Sequence, residues 1–186
     1  MPEHPGQISA VFLTGFMGAG KTTVGQILAR RLGCAFVDLD DEIVRAADRS
    51  ISQIFDQQGE AEFRRLEADA LRSVLGRLES EPAVIALGGG TFADRSNLSS
   101  LASLPHPTIF LDASADELLA RCRTSSLQGA PERPLQRNEN QFRQLFQQRL
   151  PAYMEADVRI DTTGRNPQQI ADELLRLLAS WSSRSK

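Results

Sequence analysis

Short apolar runs alternate along the chain with longer segments whose apolar residues recur every three to four positions. Ile8–Leu13 is a run of strand-forming residues that stops at Thr14-Gly15. Val24, Ile27, Leu28 and Leu32 then recur at helical spacing, and Gly33 supplies the helix C-terminus. Ala35–Val37 predicts a second strand, ending in Asp38-Leu39-Asp40. Ser50-Ile51-Ser52-Gln53 reads as a capping box, in which serine and glutamine side chains satisfy each other's backbone amides at a helix start. Glu60–Leu78 is a longer amphipathic helix, and Ala83–Leu87 a third strand stopped by Gly88-Gly89-Gly90. Thr108–Leu111 predicts a fourth strand, followed by a helix capped by Ser114 with Glu117 three residues on. Thr124–Arg137 has Gly129, Pro131, Pro134 and several arginines but no period. Asn138–Met154 is helical again, Val158–Ile160 is the last strand, and Asn166-Pro167 opens a final helix.

Strands alternating with helices imply right-handed crossovers and a parallel sheet covered on both faces, a three-layer α/β fold. No repeat or linker interrupts the pattern, so residues 1–186 read as one domain with a core over about 8–180. The residues after Trp181 read as a frayed tail.

Composition acts mainly by exclusion. The chain has 186 residues, 41% hydrophobic and 24% charged, with a net charge of −3. Its length suits one sizeable core, and its charge argues against nucleic acid as a partner, which calls for a basic face. No apolar run approaches the ~18–20 residues of a membrane span, and no secretory signal is visible, so a cytoplasmic protein without a membrane partner is expected. Cys34, Cys122, His4 and His106 are solitary, which leaves no His/Cys metal spacing and predicts reduced cysteines.

The chemistry begins at Gly15. Gly15-Phe16-Met17-Gly18-Ala19-Gly20-Lys21-Thr22 fits the P-loop pattern between a predicted strand and helix. Its glycines let backbone N–H groups turn inward, and the helix aims its positive end at phosphates. Lys21 is placed to reach the outer phosphates, and the Thr22 hydroxyl to bind Mg²⁺.

Asp38 and Asp40, two apart at a strand end, should point to one side about 6–7 Å apart. That puts them beyond the carboxyl edge, where ligands of open α/β sheets bind. A solvated turn is the competing reading. Arg64 and Glu67 fall on or beside the buried stripe of Phe63, Leu66, Ala70, Val74 and Leu78. They form either a plain ion pair within the helix or an arginine oriented toward an anionic ligand. Arg149 interrupts the stripe of Phe142, Leu145, Phe146, Leu150 and Tyr153 where an apolar residue is expected. It either meets a carboxylate bidentately or snorkels to solvent. Gly88, Gly89 and Gly90 allow close backbone approach to a ligand, or a plain tight turn. Arg133 lies in the irregular 124–137 segment, whose length suggests a lid. Asp112 resembles a Walker-B aspartate but ranks below Asp38 for magnesium.

The order and spacing of GFMGAGKTTVG at 15–25, DLD at 38–40, GEAEFRRLE at 59–67, GGG at 88–90, RPL at 133–135, QRLPAY at 148–153 and RNP at 165–167 resemble the shikimate kinase family from Ile8 to about Leu178. The resemblance implies a P-loop kinase fold, a five-stranded parallel sheet of order 2-3-1-4-5, with a substrate-binding helical region over about 41–67 and a lid over about 124–137. It implies a monomer that transfers a phosphoryl group from ATP to shikimate on the way to chorismate and the aromatic amino acids. Gly18, Ala19, Gly20, Lys21, Thr22, Thr23, Arg133 and Arg165 would bind ATP, with Lys21, Asp40 and Arg133 catalytic. Thr22 and Asp38 would hold Mg²⁺. Asp40, Phe55, Phe63, Arg64, Gly88, Gly89, Gly90 and Arg149 would bind shikimate. Leu39 and Val44 depart from the residues many relatives have, and 124–132 matches the family poorly.

Three rival readings are weaker. A gluconate kinase would share the P-loop without needing both Arg64 and Arg149. A non-catalytic nucleotide-binding regulator is expected to lose Lys21, Asp40 or an arginine, and all are present. A GTPase switch would carry an Asn-Lys-x-Asp motif, which is absent.

Overall fold

Strand β1 (Ala10–Thr14) is buried at every position, as a strand flanked and covered on all sides must be. In the computed structural model, which describes residues 9–127 and 138–181, it is the centre of a five-stranded sheet. The other strands are β2 (Ala35–Asp38), β3 (Ala83–Ala86), β4 (Thr108–Asp112) and β5 (Val158–Asp161). Their order is β2-β3-β1-β4-β5, and every neighbouring pair is parallel. The helices are α1 (Lys21–Leu32), α2 (Leu39–Ala47), α3 (Ile51–Leu75), α4 (Arg95–Ala102), α5 (Ala115–Leu127), α6 (Glu139–Tyr153) and α7 (Pro167–Trp181). The three-layer α/β reading holds.

Register decides where chemistry can gather. Leu13 of β1 and Asp38 of β2 both pair with Ala86 of β3. The segments after β1, β2 and β3 therefore leave the sheet at one level, on its carboxyl edge. The P-loop, the aspartate pair and the glycine turn thus become neighbours although they lie far apart in sequence.

The predicted helix starts are formed as written. Gln53 N donates to Ser50 Oγ at 3.2 Å and Ser50 N to Gln53 Oε1 at 2.8 Å. At α7, Gln169 N donates to Asn166 Oδ1 at 2.9 Å and Asn166 N to Gln169 Oε1 at 3.2 Å. Two boundaries differ. Helix α3 runs through both predicted segments but breaks at Gly59, whose φ of 79° and ψ of 179° are not helical. Asp38 ends β2 and at once caps α2, so Asp40 sits in a first helical turn rather than on a strand. The strand-alternation argument for their shared side is corrected accordingly. Helix α4 has no counterpart in the sequence reading, and its serine-rich segment buries only Asn97 and Leu101. No described helix is long and apolar enough to cross a membrane.

One buried hydroxyl yields a stability prediction. Thr14 is fully buried at the end of β1, and among the described residues its Oγ1 is the buried side-chain oxygen without a hydrogen-bond partner. Such a desolvated group costs about 1–3 kcal/mol, which the isosteric Thr14→Val change removes. We expect the melting temperature to rise by about 2–6 °C in scanning calorimetry. A fall would show that the hydroxyl has a partner in solution.

Candidate active site

The loop between β1 and α1 is shaped by glycines packed hard against their neighbours. A Cβ on Gly18, whose φ is +80°, would stand 2.7 Å from Leu118 O and 2.8 Å from Cys122 Sγ. Gly20 caps α1 with a left-handed backbone and no side-chain bond, so the first amides of the helix remain available. Free amides at the positive end of a helix form an anion site. Lys21 Nζ folds back over the loop, donating to Gly15 O at 2.8 Å and Phe16 O at 3.1 Å. Thr22 Oγ1 donates to Asp38 Oδ2 at 2.9 Å, while Asp38 Oδ1 accepts from Asp40 N at 3.1 Å. Asp38 therefore caps α2 and holds the mouth of the P-loop together.

The glycine turn after β3 is the second centre. A Cβ on Gly88 would lie 2.8 Å from Asp40 Oδ1, 2.9 Å from Thr91 Oγ1 and 3.3 Å from Glu67 Oε1. On Gly90 it would meet Arg64 Nη1 at 2.5 Å, and on Gly89 it would meet Arg149 Nη1 at 3.3 Å. Side chains from α2, α3 and α6 thus converge on one turn that has no room for any of its own. What approaches the turn closely in the structure is the protein's own side chains, Asp40, Glu67, Arg64 and Arg149.

Each arginine has a distinct setting. Glu67 is 1% exposed and accepts from Arg64 Nη1 at 2.8 Å and from Thr91 Oγ1 at 2.7 Å. Arg64 also donates to Glu60 Oε1 at 3.2 Å. The ion pairs of the plain reading exist, yet Glu67 lies inside the protein and holds Arg64 against Gly90. The rings of Phe55 and Phe63 lie tilted against each other with centroids 4.7 Å apart, and the Arg64 guanidinium lies 5.2 Å from the Phe63 ring. Arg149 is partly buried, with its guanidinium 5.9 Å from the Phe16 ring, and makes no ion pair with a carboxylate among the described residues. Phe16 is fixed in turn by edge contacts to Phe142 and Phe146 at 5.0 and 5.5 Å.

Beside the P-loop lies a cavity of about 470 Å³, lined by Gly18, Ala19, Gly20, Thr23, Arg121 and Arg165 among others. Arg165 donates to Asp161 O at 3.0 Å and to Glu173 Oε2 at 2.6 Å. Arg121, which the sequence reading missed, donates to Thr162 Oγ1 at 3.0 Å and Thr162 O at 2.6 Å. It thereby ties α5 to the loop that presents Arg165. The available signal was its position one helical turn after Glu117, to which it donates at 3.0 Å. Asp112, the lesser magnesium candidate, accepts two bonds from Arg159 at 2.8 and 2.6 Å. Arg133 and most of the expected lid, residues 128–137, lie outside the described residues.

A glycine-rich loop of the P-loop pattern on the carboxyl edge of a β2-β3-β1-β4-β5 sheet is the architecture of P-loop small-molecule kinases. The profile of the family described as "Shikimate kinase" matches residues 17–179. The chain belongs to that family. A shikimate kinase of Persephonella marina is 39% identical over 166 residues, covering 89% of this chain and 96% of the relative. The shikimate kinase of Acinetobacter baumannii, solved in complex with shikimate, superimposes with a TM-score of 0.82 at 31% identity, covering 94% of this chain and 95% of that one. A gluconokinase from Sinorhizobium meliloti, at 21% identity and a TM-score of 0.64 with 96% and 94% covered, shares the fold alone.

Proposed function

We propose that this chain transfers the γ-phosphoryl group of ATP to the 3-hydroxyl of shikimate, giving shikimate 3-phosphate and ADP, as one domain serving chorismate and aromatic amino-acid biosynthesis. The observation that carries this reading is the placement of Arg64 and Arg149 around the same glycine turn that Asp40 approaches. Two guanidiniums over an aromatic wall suit a ring carboxylate, since arginine binds carboxylates through paired hydrogen bonds. A carboxylate beside them suits a hydroxyl at the other end of the same small ring.

Phosphoryl transfer passes through a loose transition state, so catalysis rests on positioning and on offsetting charge. The α1 amides and Lys21 would hold the phosphates, and the cavity lined by Arg121 and Arg165 would take the nucleobase. Thr22 and Asp38 offer a hydroxyl and a carboxylate oxygen that meet at 2.9 Å beside the phosphate cradle. Two hard oxygen donors next to phosphates fit Mg²⁺, which would offset charge on the phosphate oxygens when bound. Asp40 would orient the acceptor hydroxyl and receive its proton as the O–P bond forms.

The test is ADP release with shikimate, with gluconate and with no acceptor. Turnover with shikimate alone is expected. A preference for gluconate would move the assignment to the rival kinase, and ATP binding without acceptor-dependent turnover would leave only the phosphate cradle.

A further inference from the structure

In the sequence Tyr153 stands as the last apolar member of the α6 stripe and at the end of the family-like segment QRLPAY, with no role of its own. It is fully buried, yet its hydroxyl does not point into the core. It donates a short hydrogen bond to the Gly89 carbonyl, at the centre of the glycine turn. Tyr153 stands one helical turn beyond Arg149, so both side chains project from one face of α6. At Gly89 both reach the same point: a Cβ there would lie 3.3 Å from Arg149 Nη1 and 3.7 Å from the Tyr153 hydroxyl.

The helix needs outside support at this place. Pro151 lies between the two residues inside α6 and has no N–H to give to the preceding turn. The last turn, which carries Arg149 and Tyr153, is therefore short of one internal bond. The Tyr153 ring packs at a tilt against Phe110 of β4, with centroids 5.2 Å apart, a contact that fixes where the tyrosine lies. The hydroxyl bond to Gly89 supplies the missing restraint, and it joins the arginine's helix to the turn the arginine must face.

We propose that Tyr153 is a positioning residue of the acceptor site, its hydroxyl fixing the Gly89 peptide and the last turn of α6 so that the Arg149 guanidinium meets the acceptor in one geometry. This rests on the acceptor reading of the site given above. Burial pushes the Tyr153 phenol up to about 12, against the smaller opposing effect of Arg149, so the hydroxyl keeps its proton and remains a donor across ordinary assay conditions. A second anchor of the same kind holds the other arginine, since Thr91 of this turn donates to Glu67, which binds Arg64. Both guanidiniums are thus referenced to residues 88–91, and Tyr153 provides the longer-range of the two links.

Tyr153→Phe removes the hydroxyl and keeps the ring packing. The KM for shikimate should rise about tenfold, the scale of one lost buried hydrogen bond, with kcat within about twofold and the KM for ATP unchanged. A second readout does not involve the acceptor: amide hydrogen exchange across residues 88–91 should accelerate about tenfold in the variant without any ligand. Equal losses of affinity for ATP and shikimate, or unchanged exchange at the turn, would overturn the proposal by reducing Tyr153 to a core residue. Wild-type enzyme inactive on shikimate would overturn the acceptor reading instead, with the exchange experiment still deciding the role of Tyr153.

Discussion

Asp40→Asn is expected to lower kcat for shikimate by about 10²–10⁴, the range for losing a positioned general base, with little change in ATP affinity. Asparagine keeps the size of the side chain and an acceptor oxygen, so the change isolates charge and proton acceptance. The site is built to hold a carboxylate at this position. Asp40 lies in the first turn of α2, where the positive end of the helix favours an anion. Its amide is held by Asp38, which fixes its backbone relative to the P-loop. Its Oδ1 approaches the Gly88 backbone within 2.8 Å of where a Cβ would be, so the carboxylate lies against the turn that the arginines also face. An asparagine there also brings an N–H₂ group that can turn toward the acceptor hydroxyl and compete as a donor. Steady-state kinetics with a melting curve on the same preparation would decide the matter. Near-normal turnover by a folded variant would remove Asp40 from proton transfer and leave it an orienting role at most.

The sequence made the strands legible and the site only in part, for reasons that differ by residue. Strand positions follow from local apolar runs, whereas the β2-β3-β1-β4-β5 order came from family resemblance, because pairing of distant strands leaves no periodic trace. Asp38 and Asp40 were located by an argument from strand alternation that does not hold. They do lie at the carboxyl edge of the sheet, but a helix cap brings them there. Arg149 could be found because a charge breaks an otherwise apolar stripe. Tyr153 could not, since tyrosine reads as part of such a stripe and its hydroxyl partner lies 64 residues away. Arg121 shows in the sequence only its local tie to Glu117, while its anchor Thr162 lies 41 residues away. Charges that violate a pattern are visible in sequence, while polar groups that fit the pattern show their work only when folded. Helix α4 was missed because its serines weaken helix propensity and its buried face is narrow.

Arg149→Ala should raise the KM for shikimate by about 100-fold or more while leaving the melting temperature nearly unchanged. Truncating one side of a buried, charge-assisted contact with a ligand removes about 2–5 kcal/mol of binding, and 1.4 kcal/mol corresponds to tenfold. A ring carboxylate is remote from the reacting hydroxyl, so most of the loss should fall on KM and less on kcat. The predicted stability follows from the arginine's surroundings. Among the described residues Arg149 has no carboxylate partner, so its removal leaves no protein anion unpaired. Arg64 provides the contrast. Its removal strands Glu67, which is 1% exposed, with only the Thr91 hydroxyl among the described residues to hold its charge. Breaking a buried pair in this way typically costs about 3–5 kcal/mol, so Arg64→Ala should lose both shikimate affinity and several degrees of melting temperature. If both variants melt like the wild type, the Arg64–Glu67 pair does not support the fold. If Arg149→Ala keeps the wild-type KM, the acceptor's anionic group is not bound where α6 faces the glycine turn.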